Sequence, residues 1–396
     1  MKQSLTGIKV LDLTHMLAGP YTTMILADLG AEVVKIEQPK KGDITRNLLK
    51  DDPKYSLDGV GAYHLTLARN KKSFELDLKS DSGKELFLKL VNAADVVVDN
   101  FSQGVTKRLG IDHKQLAKVN PKIITCSISG FGDTEINRPA YDNLIQGYGG
   151  AMSITGIDKE NPVKSGIPIA DLGAGLYAVI GILSALRSRD THGVGEHVDI
   201  SMLDTQVSLL TYMATMHFLS GEDPEPIGNQ HMNHVPFNSY QTKDGFIQIG
   251  VVAEDFWPNL VKALNLNELD TDENKERKGR LKNRESIDKT IQSIFLTNKT
   301  EFWLSLLQEN RVPCGPINSL SETFQDQDLL KRNMIVEVLQ ENGAPVKMPG
   351  NPVKISNHSE EFNRSPNLGE HTKSILRDWL NFDEENIKNL EDKEII

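Results

Sequence analysis

Ile8-Lys-Val-Leu-Asp-Leu13, the run from Tyr21 to Leu29, and Glu32-Val-Val-Lys-Ile-Glu37 together decide the fold. The two outer pieces are short and rich in β-branched residues, as strands are, and the apolar run between them reads as a helix. A strand, a helix and a second strand form a β-α-β unit, whose crossover imposes a parallel sheet. The alternation continues outward. Ser73-Phe-Glu-Leu-Asp-Leu78 is strand-like and Ser82 to Val91 is an amphipathic helix; Asp95-Val-Val-Val-Asp99 and Lys122-Ile-Ile-Thr-Cys-Ser-Ile128 are further strands. A turn at Thr191-His-Gly-Val-Gly195 leads to a strand from Glu196 to Ser201 and a helix to about Leu219. The architecture expected from this pattern is α/β, in doubly wound layers.

The character changes at Gly221-Glu-Asp-Pro-Glu-Pro226, a polar stretch with two prolines that reads as a linker. Beyond it, Asp244-Gly245 between two strand-like runs predicts a hairpin. Helices are expected at Phe256 to Leu264, Ser286 to Phe295 and Glu301 to Gln308, and the charge-rich segment from Asp270 to Arg284 reads as solvated surface.

One carboxylate stands out. Asp171 is the only residue charged at neutral pH in the apolar run from Gly166 to Leu186. Leu172, Leu176, Val179, Ile180, Leu183 and Leu186 recur at helical spacing, and Gly173, Ala174, Gly175, Ala178 and Gly181 leave the other faces small enough for close packing. Removing a carboxylate from water costs several kcal/mol unless something compensates. Asp171 therefore belongs at the helix start, where free backbone N–H groups and the positive dipole end favour an anion. Two readings fit that place: a simple N-cap, and a carboxylate nucleophile kept ionised by the helix end. They are compatible in one residue.

Bulk properties narrow the classes. With 396 residues, 38% of them hydrophobic and 25% charged, the chain suits a soluble protein of two domains, or one large and one small. A formal net charge of -11 argues against general nucleic-acid binding, so an anionic ligand must be met by a local basic cluster such as Arg69-Asn-Lys-Lys72. Two cysteines without metal-ligand spacing, and an N-terminus without a long apolar core, lead us to expect a cytoplasmic protein. The run from Gly166 to Leu186 is long enough to span a bilayer, but Pro168, Asp171 and its small residues fit a protein core better, so no membrane insertion is expected.

Several familiar sites fail. Ser127 and Ser129 lack the first glycine of a nucleophile elbow, and Ser82-Gly-Lys-Glu85 lacks the earlier glycine of a phosphate loop. His231 and His234 have no third ligand nearby, and no metal is expected. Gly173-Ala-Gly-Leu-Tyr-Ala178, with Asp199 further on, matches a dinucleotide fingerprint, although Gly166 and Pro168 spoil the preceding strand and Asp171 would repel a pyrophosphate.

A further set of segments runs almost end to end: Leu11-Asp-Leu-Thr-His-Met-Leu-Ala-Gly-Pro20, Leu29-Gly-Ala-Glu-Val-Val-Lys-Ile-Glu37, Arg69 to Lys79, Asp99-Asn-Phe101 and Gly104 to Gly110. Ser129-Gly-Phe-Gly132, Ala170 to Gly175, Val312 to Asn318 and Leu368-Gly-Glu-His-Thr372 complete it. In these segments, and in their order, the chain resembles the class III CoA-transferases, the family of formyl-CoA, carnitine and bile-acid CoA-transferases and, more distantly, alpha-methylacyl-CoA racemases. This resemblance implies a Rossmann-like large domain (1–220), a linker and smaller α+β domain (221–330), a C-terminal segment returning to the large domain (331–396), and a homodimer of interlocked rings.

The same resemblance implies that Asp171 is the nucleophile and that coenzyme A, carried as acyl-CoA, and a carboxylic acid are the substrates. Ala18, Gln38, Lys71, Asn100, Phe101, Arg108 and Met202 match positions that hold CoA, with Lys71 and Arg108 expected on its phosphates. His15, Leu17, Tyr141 and Asp142 are expected around the reaction centre. Formyl-CoA transferases carry glutamine where Leu17 stands, and a contiguous glycine loop where this chain has Ile227-Gly-Asn-Gln230, which points away from formyl and oxalyl chemistry. Racemases carry histidine where Tyr141 stands, which removes one member of the acid/base pair that racemisation needs. The alternatives to transfer are an acyl-CoA racemase of the same fold and a non-catalytic CoA- or dinucleotide-binding protein.

Overall fold

The computed structural model describes residues 3–136 and 138–396. The chain divides into two compact units, one of residues 1–151, 164–220 and 331–396, the other of 152–163 and 221–330. Residues 152–163, expected within the large domain from their position in the chain, therefore cluster with the smaller unit.

In the larger unit, β1 (Lys9–Asp12), β2 (Glu32–Glu37), β3 (Lys71–Glu75), β4 (Val96–Asp99), β5 (Ile124–Ser129) and β6 (His197–Ser201) form one sheet. They lie in the order β3-β2-β1-β4-β5-β6, and every pairing is parallel. The register pairs Val10 with Val33 on one side and with Val96 on the other.

Alternation along each strand sends side chains to opposite faces, and both faces are covered. Val10, Val96 and Val98 pack with α1 (Ala18–Asp28) through Met24 and Leu26, in one buried layer. Leu11 and Val97 face the other layer, formed by Leu86, Phe87 and Leu90 of α2 (Asp81–Ala93). Ile375, Leu376 and Trp379 from near the C-terminus join this second layer. The last segment is thus a structural part of the larger unit. A short ribbon at Ile335–Leu339 and Pro345–Pro349 precedes it.

Two more helices position the site. These are α3 (Asp142–Tyr148) and the 24-residue α4 (Ile169–His192). Among the described residues α4 is long and apolar enough to cross a membrane, and half of its most apolar window is buried in the fold. Its small residues explain that burial. Ala174 and Ala178 are fully buried, and a Cβ at Gly175 would lie 2.9 Å from the carbonyl oxygen of Ala18. Thr22 Oγ1 of α1 donates to the Gly175 carbonyl at 3.1 Å, so the two backbones touch where only glycine fits.

The helix expected to run to Leu219 is broken. It comprises Met202–Leu209 and Tyr212–Ser220, separated where Thr211 takes a left-handed φ of 48°.

In the smaller unit, β7 (Phe237–Gln241), β8 (Phe246–Gly250) and β9 (Cys314–Pro316) form an antiparallel sheet in the order β9-β8-β7. Asp244 of the hairpin turn accepts from Thr300 N at 2.8 Å and so caps the helix Thr300–Glu309. Trp257, Ile287, Phe295, Trp303 and Leu307 form a separate core. The segment from Asp270 to Arg284 is not simply solvated surface. Arg280 is 1% exposed and donates to the carbonyls of Val235, Asn274 and Lys275 and to Glu254. A charged stretch hides one structural arginine, because a guanidinium has enough donors to satisfy buried carbonyls.

Candidate active site

Sheet order reverses between β1 and β4, and loops leaving the C-terminal ends of neighbouring strands part at such a point. A cavity of about 650 Å³ opens there. It is lined by His15 to Ala18 after β1, Asn100 to Gln103 after β4, Ile128 to Gly132 at the end of β5, and Met202 after β6. Tyr141, Asp142 and Asp171 close it from α3 and α4. Nine sequence-predicted residues meet on this wall: His15, Leu17, Ala18, Asn100, Phe101, Tyr141, Asp142, Asp171 and Met202.

The first loop is held rigidly. Asp12 accepts from Thr14 N at 2.9 Å and from Thr23 Oγ1 at 2.7 Å. Asn100 Oδ1 accepts from His15 N at 2.8 Å while its Nδ2 donates to His15 O at 2.7 Å. The side chain of Asn100 is therefore engaged with the loop rather than free for a ligand. Between these anchors Met16 is forced to a left-handed φ of 63°. Such a conformation persists only where its surroundings over-determine it. His15 faces the cavity, 3.5 Å from Asp43 Oδ2 through Nδ1, with its ring 5.8 Å from that of Phe101.

Beneath the loop lies a balanced ionic core. Lys71 Nζ donates to Asp12 Oδ2 at 2.9 Å, to Thr23 Oγ1 and to the Pro20 carbonyl, and the side chains of Lys71 and Asp12 are fully buried. Lys35 Nζ pairs with Asp43 at 2.7 Å, and Arg46 grips both oxygens of Glu37. Burial opposes ionisation of Asp12, yet Lys71 and Lys35 hold its carboxyl well below the usual range. Glu37 is brought down to about 2, burial being outweighed mainly by Arg46. The expectation that Lys71 meets CoA phosphates is corrected here: its ammonium is sealed in the core, where three acceptors satisfy it. Arg108 and Gln38 are exposed but lie outside the cavity wall.

Asp171 is the third residue of α4, in the first turn rather than at the N-cap, which is Pro168 and offers no side-chain acceptor. The cap comes from Asp142, whose Oδ1 accepts from Ala170 N at 2.9 Å and, more weakly, from Asp171 N at 3.4 Å. Gln146, buried to 1% exposure, steadies Asp142 by donating to its Oδ2 at 2.6 Å and ties down the preceding loop by accepting from Ser165 N. Capping, one of the two readings left open for Asp171, is thus performed by its neighbour.

The Asp171 carboxylate itself accepts no hydrogen bond among the described residues. Burial first, and then the charge of Asp142, push it up to about 6. Burial, Asp171 and Asp142 likewise raise Tyr63, a lining residue with no sequence signal of its own. Gly173-Ala-Gly175 lies inside α4, where its N–H groups are already in the helix ladder, so it forms no phosphate loop. That removes the dinucleotide reading.

A model of CoA-transferase family III matches residues 5–372. The chain belongs to this family. The succinyl-CoA:glutarate CoA-transferase of Mus musculus is 35% identical over 391 residues, covering 98% of this chain and 88% of that one. The succinyl-CoA:mesaconate CoA-transferase of Haloarcula hispanica is 36% identical over 385 residues, covering 94% and 96%. A crystal structure of a CAIB/BAIF family protein from Brucella suis superposes with a TM-score of 0.85 at 34% identity, covering 95% of this chain and 99% of that one. As a family III CoA-transferase, the chain is an enzyme whose co-substrate is coenzyme A.

Proposed function

We propose that this enzyme moves CoA from an acyl-CoA donor to a carboxylic acid through covalent intermediates on Asp171. The observation that carries the proposal is the state of that carboxylate: in the first turn of α4, without a hydrogen-bond donor among the described residues, and open to the cavity. Its ionised form is a nucleophile that no described residue occupies.

The steps balance without metal or ATP. An Asp171 oxygen attacks the thioester carbonyl, the C–S bond breaks, and an acyl-aspartyl anhydride and CoA thiolate result. The thiolate attacks the aspartyl carbonyl, releasing the donor acid as a carboxylate and leaving an aspartyl-CoA thioester. The acceptor carboxylate attacks that thioester, freeing the thiolate and forming a second anhydride. Thiolate attack on the acceptor's carbonyl then releases the new acyl-CoA and restores the Asp171 carboxylate. No net proton is consumed, and one thioester replaces another, so the overall free-energy change is small.

The acids named for the two relatives above, succinate, glutarate and mesaconate, are all dicarboxylates, and we take small dicarboxylates as the substrate class. The Rossmann-like assignment of the large domain is supported by its strand order. The proposed partner is a second copy, in an interlocked homodimer. Leu176 and Ile180 on α4, and Tyr212, Phe218 and Leu219 beyond it, are exposed apolar side chains that a second chain would cover. A reducing, cytoplasmic setting is proposed from two unpaired cysteines, one of them buried.

The test is intact-mass analysis after mixing with a panel of acyl-CoAs, followed by hydroxylamine. We expect an acyl or CoA adduct that converts to a hydroxamate at Asp171. Its absence across the panel contradicts the proposal, and exchange of the alpha proton with deuterated solvent in place of transfer identifies a racemase.

A further inference from the structure

The cavity wall carries two carboxylates, Asp142 and Asp171, and among its described residues a single side chain of permanent positive charge, Arg138. Arg138 makes no hydrogen bond or ion pair with the protein among the described residues. Its guanidinium carbon instead lies 4.5 Å from the Phe131 ring centre and 4.3 Å from that of Tyr148. These rings stand edge to face at 5.9 Å, making a two-sided aromatic seat. Phe131 is buried, so half of the seat is fixed by the core. A guanidinium resting on ring faces keeps its N–H donors directed outward in a fork that matches a carboxylate. The positive charge is placed and, among the described residues, left without a hydrogen-bonded or ionic partner.

Its position in the chain ties it to the reacting end of the cavity. Arg138 precedes Tyr141 by three residues and Asp142 by four, and Asp142 touches the backbone of Asp171. Four residues span at most about 14 Å, and the arginine side chain reaches back across part of that. Gly130 makes the approach of this loop possible: a Cβ there would come within 2.1 Å of the Ala140 side chain.

We propose that Arg138 determines acid specificity by pairing with the far carboxylate of a dicarboxylic substrate while the near carboxyl exchanges at Asp171. This rests on the transferase reading above and assigns the substrate class to one residue. A dicarboxylate entering a wall with two carboxylates needs a compensating cation, and a bidentate arginine supplies charge and geometry together. A CoA phosphate is the other anion that could take the same fork, and the two sources give different kinetics.

The experiment uses the full chain and its Arg138→Gln and Arg138→Lys variants, with glutarate and butyrate as acceptors and with succinyl-CoA and butyryl-CoA as donors. We expect Arg138→Gln to raise KM for glutarate and for succinyl-CoA at least tenfold, leaving KM for butyrate and butyryl-CoA within twofold of wild type. Arg138→Lys should recover part of the loss, because charge returns without the fork. Equal losses with both donors would assign Arg138 to the CoA phosphates and overturn the inference, as would unchanged constants throughout. A wild-type protein that accepts butyrate as readily as glutarate would overturn the inference, whereas one that forms no Asp171 hydroxamate from any acyl-CoA of the panel would overturn the covalent transferase reading itself. A variant that still forms the Asp171 hydroxamate from butyryl-CoA is folded, so its KM values report on recognition.

Discussion

Two groups of charges lie on either side of the first loop, and they are built on opposite rules. In the core below it, Asp12, Glu37 and Asp43 are matched by Lys35, Arg46 and Lys71. In the cavity above it, Asp142 caps a helix for its neighbour, and Asp171 has no side-chain partner among the described residues. The core network stabilises a loop that carries a strained residue. The cavity leaves one carboxylate uncompensated, at a cost to stability that only a task would justify. On the proposed function, a buried charge that is fully answered serves architecture and one left open serves chemistry.

The largest effect should follow from neutralising the open charge. Asp171→Asn is expected to lower kcat by more than about a thousandfold while the protein stays folded. Because the folded-state pKa is raised, the ionised carboxylate weakens the fold as pH rises from about 4 through 6. The variant should therefore melt higher than wild type at pH 8 and no higher at pH 4, as thermal scans would show. A variant that melts lower at pH 8 would make Asp171 a structural anion like those of the core.

Breaking the balanced core should act on stability instead. Lys71→Met leaves Asp12 buried without its ion-pair partner, and we expect a loss of about 3–5 kcal/mol in denaturant unfolding. Variant protein that remains folded at low temperature should keep its KM for acyl-CoA. A raised KM with unchanged stability would return Lys71 to the cofactor.

A smaller change comes from Asp142→Asn, which retains an oxygen for capping but removes the charge beside Asp171. Asp171 then loses one of the two causes that raise it from its ordinary value toward 6. The acid limb of kcat/KM against pH should move down, by roughly one unit. A limb that stays or moves up would mean that Asp142 does not act on Asp171 through its charge.

The smallest effect marks the edge of the contrast. Lys40 and Glu394 pair at 2.8 Å with both side chains about three-quarters exposed. Lys40→Ala should melt with wild type, since water and salt already screen such pairs.

Much of the fold was legible because strands and helices alternate with clean periodicity. Val10 and Leu11, or Val96 and Val97, already encode two buried faces. Lys71 was misread because a lysine flanked by Arg69 and Lys72 looks like surface, and nothing local shows that Asp12, 59 positions away, will seal it in. Arg280 was hidden in the same way within a charged stretch. Asp171 stands out in the sequence by its isolation in an apolar run, but the cap of its helix does not, since that role belongs to Asp142 on another helix. Gln146 could have been suspected from its place one helical turn after Asp142. Tyr63 and Arg138 had no such signal: their significance lies in rings and carboxylates that only the fold brings near.

The central claim is that an Asp171 oxygen bonds to the substrate. A single turnover of excess enzyme with succinyl-CoA and ¹⁸O-labelled glutarate, followed by proteolysis and mass analysis, tests it directly. In the proposed sequence the bridging oxygen of the second anhydride stays behind, so the peptide bearing Asp171 should gain about 2 Da, localised to that side chain. Labelled glutaryl-CoA formed with an unlabelled Asp171 peptide would contradict the account.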